Sequence, residues 1–333
     1  MHTLLILALT AVNGIWSAWQ YNTGNWESLA PLLAENGFDT VFYCAAYRPE
    51  TDIEGLMECV DACGEYGIEV HAWVVMWKTS QSRDSLRTVL TSEDRMQVAI
   101  DDDPNAETWL CPSRRENVEL MASTCLRIAA SCPVAGIHLD YIRYSSDRVC
   151  FCSRCDTAFG RWLGTGRYRW PEDCYRGGYL HEEYRRFRNE TITDAVYAIR
   201  DSLGRLNRVV ELSAAVLPRE REMDYYGQHW DRWIRDGKVD FVVPMNYTVS
   251  DSELVFWSEA QLDMAGGTPI PCGLILTEGE RLLEADEIEH QVELALETGF
   301  QGFVLFHLSR GFVEMLESGE LNLLQHGAQR CSP

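Results

Sequence analysis

The strongest constraint on the fold is an alternation that runs the length of the chain. Short stretches rich in β-branched and aromatic residues exchange with longer stretches of helical periodicity, eight times over. Strands are predicted over 15–20, 40–46, 69–77, 136–144, 208–217, 239–247, 270–276 and 301–308. Helices are predicted over 26–36, 53–66, 115–131, 180–203, 226–236, 253–265, 285–298 and 313–324, with Gly37, Gly67 and Gly299 as stop signals. Strict alternation of this kind dictates a parallel sheet with helices outside it. Eight units in 333 residues predict an α/β fold of the closed (β/α)8 type, a TIM barrel. An open doubly wound sheet is the alternative. It is disfavoured for a nucleotide enzyme because no Gly-rich phosphate loop follows the first strand.

Two connections break the rhythm. Residues 78–112 are irregular and carry the acidic turn Asp101-Asp102-Asp103-Pro104. Residues 145–178 form a long cysteine-containing excursion after strand 4. Connections this long in a compact domain are usually functional loops. The expected organisation is a single barrel domain over 15–325, a C-terminal tail over 326–333 and a candidate signal peptide over 1–14. The apolar run 4–11 would be the core of that signal, with Val12 and Gly14 as small-residue cleavage determinants. No Lys or Arg precedes the run, so a buried first segment is the alternative. Export implies a secreted or periplasmic protein, and retention a cytoplasmic one. No stretch is long and apolar enough to span a bilayer.

Charge narrows the partners. With 51 acidic against 29 basic residues the formal net charge is −22. Such a surface repels nucleic acid and anionic membranes. The chain carries 11 Trp, 14 Tyr and 11 Phe, which supply flat apolar faces of the kind sugars stack on. The sequence specifies no oligomeric state.

The most informative stretch is Gly136-Ile137-His138-Leu139-Asp140-Tyr141-Ile142-Arg143-Tyr144. Its apolar residues suit a strand inside a sheet, and Asp140 does not, because a buried carboxylate is costly unless it is stabilised or used. Asp140 is either half of an ion pair with Arg143 or a catalytic carboxylate. His138, two positions earlier, shares its face deeper in the barrel and is expected to be a hydrogen-bonded interior histidine.

In TIM barrels the active site forms at the carboxyl ends of the strands. The polar and aromatic residues there are Trp19 and Gln20; Tyr47 and Arg48; Trp77 and Lys78; Asp140, Arg143 and Tyr144; Arg219; Asn246 and Tyr247; Glu278 and Glu280; His307 and Arg310. Carboxylates and aromatics dominate, as a carbohydrate site requires. Cleaving a glycosidic bond needs two carboxyl groups, one to protonate the leaving oxygen and one to attack or activate water. Asp140 is the first candidate and Glu278, after the seventh strand, the second. Trp19, Trp73 and Trp77 are candidate sugar platforms. Tyr47, Arg143, Tyr144, Asn246, Tyr247 and His307 are candidate substrate-binding residues. No cofactor is expected for such chemistry.

The chain has twelve cysteines. Cys150, Cys152 and Cys155 cluster in the excursion, with Cys174 further on. These four could hold a structural zinc, form disulfides or remain free thiols.

The stretch 136–144, followed by Cys152-Ser153-Arg154-Cys155 and Phe159, resembles the glycosyl hydrolase-like 10 family. Trp230-Asp231-Arg232-Trp233, Val239-Asp240-Phe241-Val242-Val243-Pro244-Met245-Asn246-Tyr247 and Gly302-Phe303-Val304-Leu305-Phe306 fit the same group. The resemblance covers residues 16–312. It implies a TIM barrel acting as a glycoside hydrolase, often exported, with no defined substrate. A more distant likeness is to chitinase-type barrels, whose fourth strand ends in Asp-x-Glu. Here Asp140 matches the Asp, but Ile142 stands where the proton-donating Glu would be, so the second carboxyl must come from elsewhere. The expected activity is hydrolysis of a polysaccharide. A non-catalytic carbohydrate-binding barrel, or an interaction protein on the same fold, are the alternatives.

Overall fold

The computed structural model describes residues 11–19, 24–47, 50–79, 84–101, 106–321 and 323. Gln20, Arg48, Asp102 to Pro104, most of the 4–11 run and the 326–333 tail lie outside them.

Eight parallel strands form the barrel: β1 (Val12–Ser17), β2 (Thr40–Tyr47), β3 (Glu69–Val75), β4 (Gly136–Asp140), β5 (Glu211–Val216), β6 (Phe241–Pro244), β7 (Cys272–Ile275) and β8 (Gly302–Phe306). The helices are α1 (Trp26–Glu35), α2 (Ile53–Gly64), α3 (Asp84–Ser92), α4 (Arg115–Ser131), α5 (Ser153–Leu163), α6 (His181–Leu203), α7 (Glu220–Tyr226), α8 (Trp230–Arg235), α9 (Asp251–Met264), α10 (Ala285–Thr298) and α11 (Arg310–Ser318). Hydrogen bonding runs in the order β6-β5-β4-β3-β2-β1-β8-β7. A single parallel bridge between Met245 and Gly273 closes the ring, reinforced by the Asn246 N–H donating to the Gly273 carbonyl at 2.8 Å. Closure requires glycine at that point: a Cβ on residue 273 would sit 2.6 Å from the Pro244 carbonyl oxygen.

The barrel interior is filled rather than hollow. Trp16, Phe42, His71, His138 and Phe241 pack in it with tilted rather than stacked rings, with ring centroids 4.5 Å apart for Phe42 and His138 and 5.7 Å for Trp16 and Phe42. His138 is the interior histidine expected. Its Nε2 accepts from the Trp16 indole at 3.2 Å, so Nδ1 carries the proton and donates to Ser213 Oγ at 2.9 Å. Burial holds its pKa well below the usual histidine range, so the ring is neutral.

The structure shifts several boundaries. β1 begins at Val12, and Gly14 pairs with Val304 and Thr40, so cleavage beyond Val12 would remove barrel strand. β4 ends at Asp140 rather than at Tyr144, because Tyr141 adopts a left-handed φ of 53° that breaks the extended backbone. The two irregular connections contain helices of their own, α3 and α5. The predicted helix 226–236 shortens to α8; a separate short helix, α7, precedes it and ends at Tyr226, with Gly227 at φ 74° between the two. Among the described residues no helix is long and apolar enough to cross a membrane.

Candidate active site

Asp140 closes β4 at the carboxyl mouth of the barrel, opposite Val75 of β3 in register. It is 7% exposed. The left-handed turn at Tyr141 folds that residue's N–H back onto Asp140 Oδ1 at 2.6 Å. The Trp73 indole, from β3, donates to Oδ2 at 3.2 Å. Arg143 Nη1 stands 3.7 Å from Oδ1, beyond hydrogen-bond distance, and among the described residues it makes no hydrogen bond itself. These neighbours of the carboxylate are all donors or cations. Burial nevertheless raises its pKa above the usual range, against the lowering pull of Arg143, the Tyr141 N–H, Trp73 and Lys78. A carboxylate held in this way is a stronger base than one in water, and the donors around it offset part of the cost of burying the anion.

Asp140 opens onto a cleft of about 540 Å3, within the usual size range of small-molecule sites. Its floor and inner walls come from strand ends. Ala18 follows β1, Tyr47 ends β2, Trp73 lies in β3, and Met245 and Tyr247 follow β6. Phe306 and His307 stand at the end of β8, where the Tyr247 and Phe306 rings stack at 5.2 Å. Beside Asp140, two cations lie over the Tyr141 ring, Lys78 Nζ at 4.7 Å and the Arg143 guanidinium at 4.8 Å, and the ring also packs on Trp109 at 5.4 Å. A further part of the rim is built after β5 and on α9. Arg219 pairs with Glu222 and lies over the Trp257 ring at 5.6 Å, and all three residues line the cleft.

The structure therefore brings together Tyr47, Trp73, Asp140, Arg143, Arg219, Tyr247 and His307 from the residues that sequence singled out. Others fall elsewhere. Trp77 and Tyr144 are wholly buried, Tyr144 beneath the Arg188 guanidinium at 4.3 Å. Asn246 is buried in an amide pair with Gln261, its Oδ1 accepting at 2.7 Å and its Nδ2 donating at 3.0 Å. That pair already uses the groups a sugar hydroxyl would need. Trp19 packs against the core and does not line the cleft. Glu278 lies in a short exposed hairpin with Arg281, paired to it at 3.0 Å, and is not among the lining residues.

The second carboxyl in the cleft is Glu222, which sequence reasoning passed over. It sits on α7, a helix of seven residues that begins directly after the β5 loop. The short Arg219-Glu220-Arg221-Glu222 run behind Pro218 was its one sequence signal. Trp257 was hidden within a helix whose other residues are ordinary.

The cysteine cluster also differs from the expected set. Cys111, Cys150, Cys152 and Cys155 bring their sulfurs within 4.8 Å of one another, and all four are buried. Cys174 belongs instead to a separate aromatic cluster with Phe151, Phe159, Tyr184 and Phe187. Cys111 arrives from the connection after β3, a distant stretch of chain that local spacing cannot associate with Cys150.

No family model and no curated protein matches this sequence. Comparison of the fold is more informative. The barrel is similar to glycoside hydrolase domains. The PgaB (BpsB) glycoside hydrolase domain from Bordetella bronchiseptica superposes with a TM-score of 0.71 at 10% identity, over 92% of this chain and 97% of that one. The glycoside hydrolase domain of a PelA variant from Pseudomonas aeruginosa gives 0.52 at 12% identity, over 89% and 94% of the two chains. The endo-beta-1,4-mannanase from Thermotoga petrophila gives 0.52 at 11% identity, over 90% and 68%. At these identities the likeness establishes the fold.

Proposed function

We propose that this protein is a glycoside hydrolase that cleaves a polysaccharide at the carboxyl mouth of its barrel, in the manner expected of the glycosyl hydrolase-like 10 group. The observation that carries this reading is the buried Asp140 carboxylate, contacted by donors and cations and opening, with the second carboxyl of Glu222, onto one cleft walled by aromatics. Asp140 serves as the base or nucleophile. Its raised pKa strengthens it, and the Tyr141 N–H and the Trp73 indole hold its orientation. Glu222, from the rim after β5, supplies the proton to the leaving oxygen. Trp73, Tyr247, Phe306 and Trp257 offer ring faces to the sugar, and Tyr47, Arg143 and His307 offer polar contacts. The chemistry needs no cofactor. The fold similarity to glycoside hydrolase domains supports the reaction class. Export is the matching expectation for an enzyme acting on polysaccharide, and the 4–11 run is its candidate signal.

The deciding experiment measures reducing ends released from a panel of neutral and amino-sugar polysaccharides by the wild type, Asp140→Asn and Glu222→Gln. Each substitution should lower turnover by at least about 100-fold, the lower end of what a positioned proton-transfer group contributes. Full activity in Asp140→Asn on a substrate the wild type cleaves would overturn the assignment. Glycan binding by a wild type that cleaves nothing in the panel would favour the non-catalytic carbohydrate-binding reading.

A further inference from the structure

Away from the cleft, four cysteine sulfurs meet in the protein interior. Cys111 comes from the connection after β3. Cys150 and Cys152 come from the excursion after β4, and Cys155 from the first turn of α5. The distances are 3.6 Å from Cys111 Sγ to Cys155 Sγ and 3.8 Å from Cys111 Sγ to Cys152 Sγ. Four thiolates about 2.3 Å from a central zinc, arranged tetrahedrally, stand about 3.8 Å apart. A disulfide would instead need two sulfurs about 2.05 Å apart. Among the described residues no His or carboxylate enters the group, and an all-sulfur tetrahedral set selects zinc over magnesium or calcium.

The surroundings are those of a negatively charged centre. The Val98 N–H points at Cys150 Sγ from 3.3 Å, and Ser113 Oγ lies 3.4 Å from Cys155 Sγ, placed to donate to a thiolate. Among the described residues, Arg188 is buried, its Nε makes no hydrogen bond and it has no ion-pair partner within contact distance; Asp147 and Cys150 both lie within its electrostatic reach. A buried guanidinium is costly unless nearby negative charge accompanies it, and each added countercharge lowers that cost. A zinc bound by four thiolates carries a net charge of −2 and supplies one.

We propose that Cys111, Cys150, Cys152 and Cys155 bind a structural zinc that joins the two long connections beside the barrel mouth. The join is visible around the cluster. Phe151 N–H donates to the Val98 carbonyl at 2.8 Å, and Ile100 N–H to the Arg148 carbonyl at 3.1 Å. The connection after β3 also carries Trp109, which packs on Tyr141 in the cleft wall. The metal thereby holds a wall of the cleft in place while taking no part in its chemistry.

Elemental analysis of the purified full chain, prepared without added metal, tests this. About one zinc per chain is expected. Cys111→Ser should lose at least about fivefold of it and melt at a lower temperature, whereas Cys174→Ser should keep it all. Should Cys111→Ser fail to fold, titrating the wild type with a mercurial reagent beside a zinc-sensitive dye still decides, with zinc release complete at about four thiols modified. Less than about 0.2 equivalents of zinc overturns the proposal, as does stoichiometric iron in its place. An intact mass about 4 Da below that of the reduced chain, with disulfides mapped to these cysteines, overturns it as well.

Discussion

Replacing Asp140 with Asn separates the two roles this carboxylate could have, through stability rather than activity. If Asp140 chiefly neutralises Arg143, its loss strands a buried guanidinium. At 3.7 Å and an effective dielectric constant near 20, the attraction removed is about 4.5 kcal/mol, and breaking a buried pair typically costs about 3–5 kcal/mol. If Asp140 is held for chemistry, the outcome is different. Its raised pKa means that burial already outweighs Arg143, Lys78 and both hydrogen bonds together. Relative to the unfolded chain, the folded state therefore favours the neutral form, and an amide is neutral. Asn keeps an oxygen for the Tyr141 N–H, loses the desolvated charge and gives up the long 3.2 Å hydrogen bond from the Trp73 indole. The expected change is a gain of about 0.5–2 kcal/mol at pH 8, typical where a destabilising active-site group is removed. The sign follows from linkage. A folded pKa above the unfolded one adds stability at low pH that is lost as pH rises through the folded value, so the wild type is disadvantaged only on the alkaline side. Urea unfolding of both proteins at pH 5, 6.5 and 8 should show the gain growing with pH. A loss of about 3 kcal/mol or more at pH 8 would refute this account and make Asp140 a structural ion-pair member.

Three further outcomes are expected. Glu278→Gln should leave polysaccharide cleavage within about twofold of wild type, since Glu278 lies in an exposed hairpin, while Glu222→Gln abolishes it; equal losses in the two variants would return the second carboxyl to Glu278. At the opposite end of the barrel, burial beside Asp240 and Glu69 raises the Glu211 pKa to about 7. Glu211→Gln should therefore stabilise the fold by about 1 kcal/mol at pH 8.5, a figure discounted because the side chain is one-third exposed, and by nothing at pH 4, as urea titrations would show. Asn246→Ala should cost about 1–3 kcal/mol by stranding the Gln261 amide, yet leave the Michaelis constant unchanged; a raised constant would restore Asn246 to the sugar site.

The sequence by itself determined the barrel. Eight strand–helix alternations leave few packings for a chain of this length, because a parallel sheet must be covered by helices. It also determined that Asp140 reaches the mouth, since strand position alone places a residue at one end of a barrel, and that His138 lies inside, since the period of two sets its face. Only the tertiary structure decided which strand-end side chains share the cleft. Trp77, Tyr144 and Asn246 are near strand ends but turn into the packed shell, a matter of side-chain direction that depends on neighbours distant in sequence. Glu222 and Trp257 reach the cleft from helices, where no strand-end rule looks for them. The fourth cysteine followed the same logic. Cys111 and Cys150 are separated by an entire helix and strand, α4 and β4, and it is the parallel crossover that returns the chain to the same end of the barrel and brings their sulfurs together.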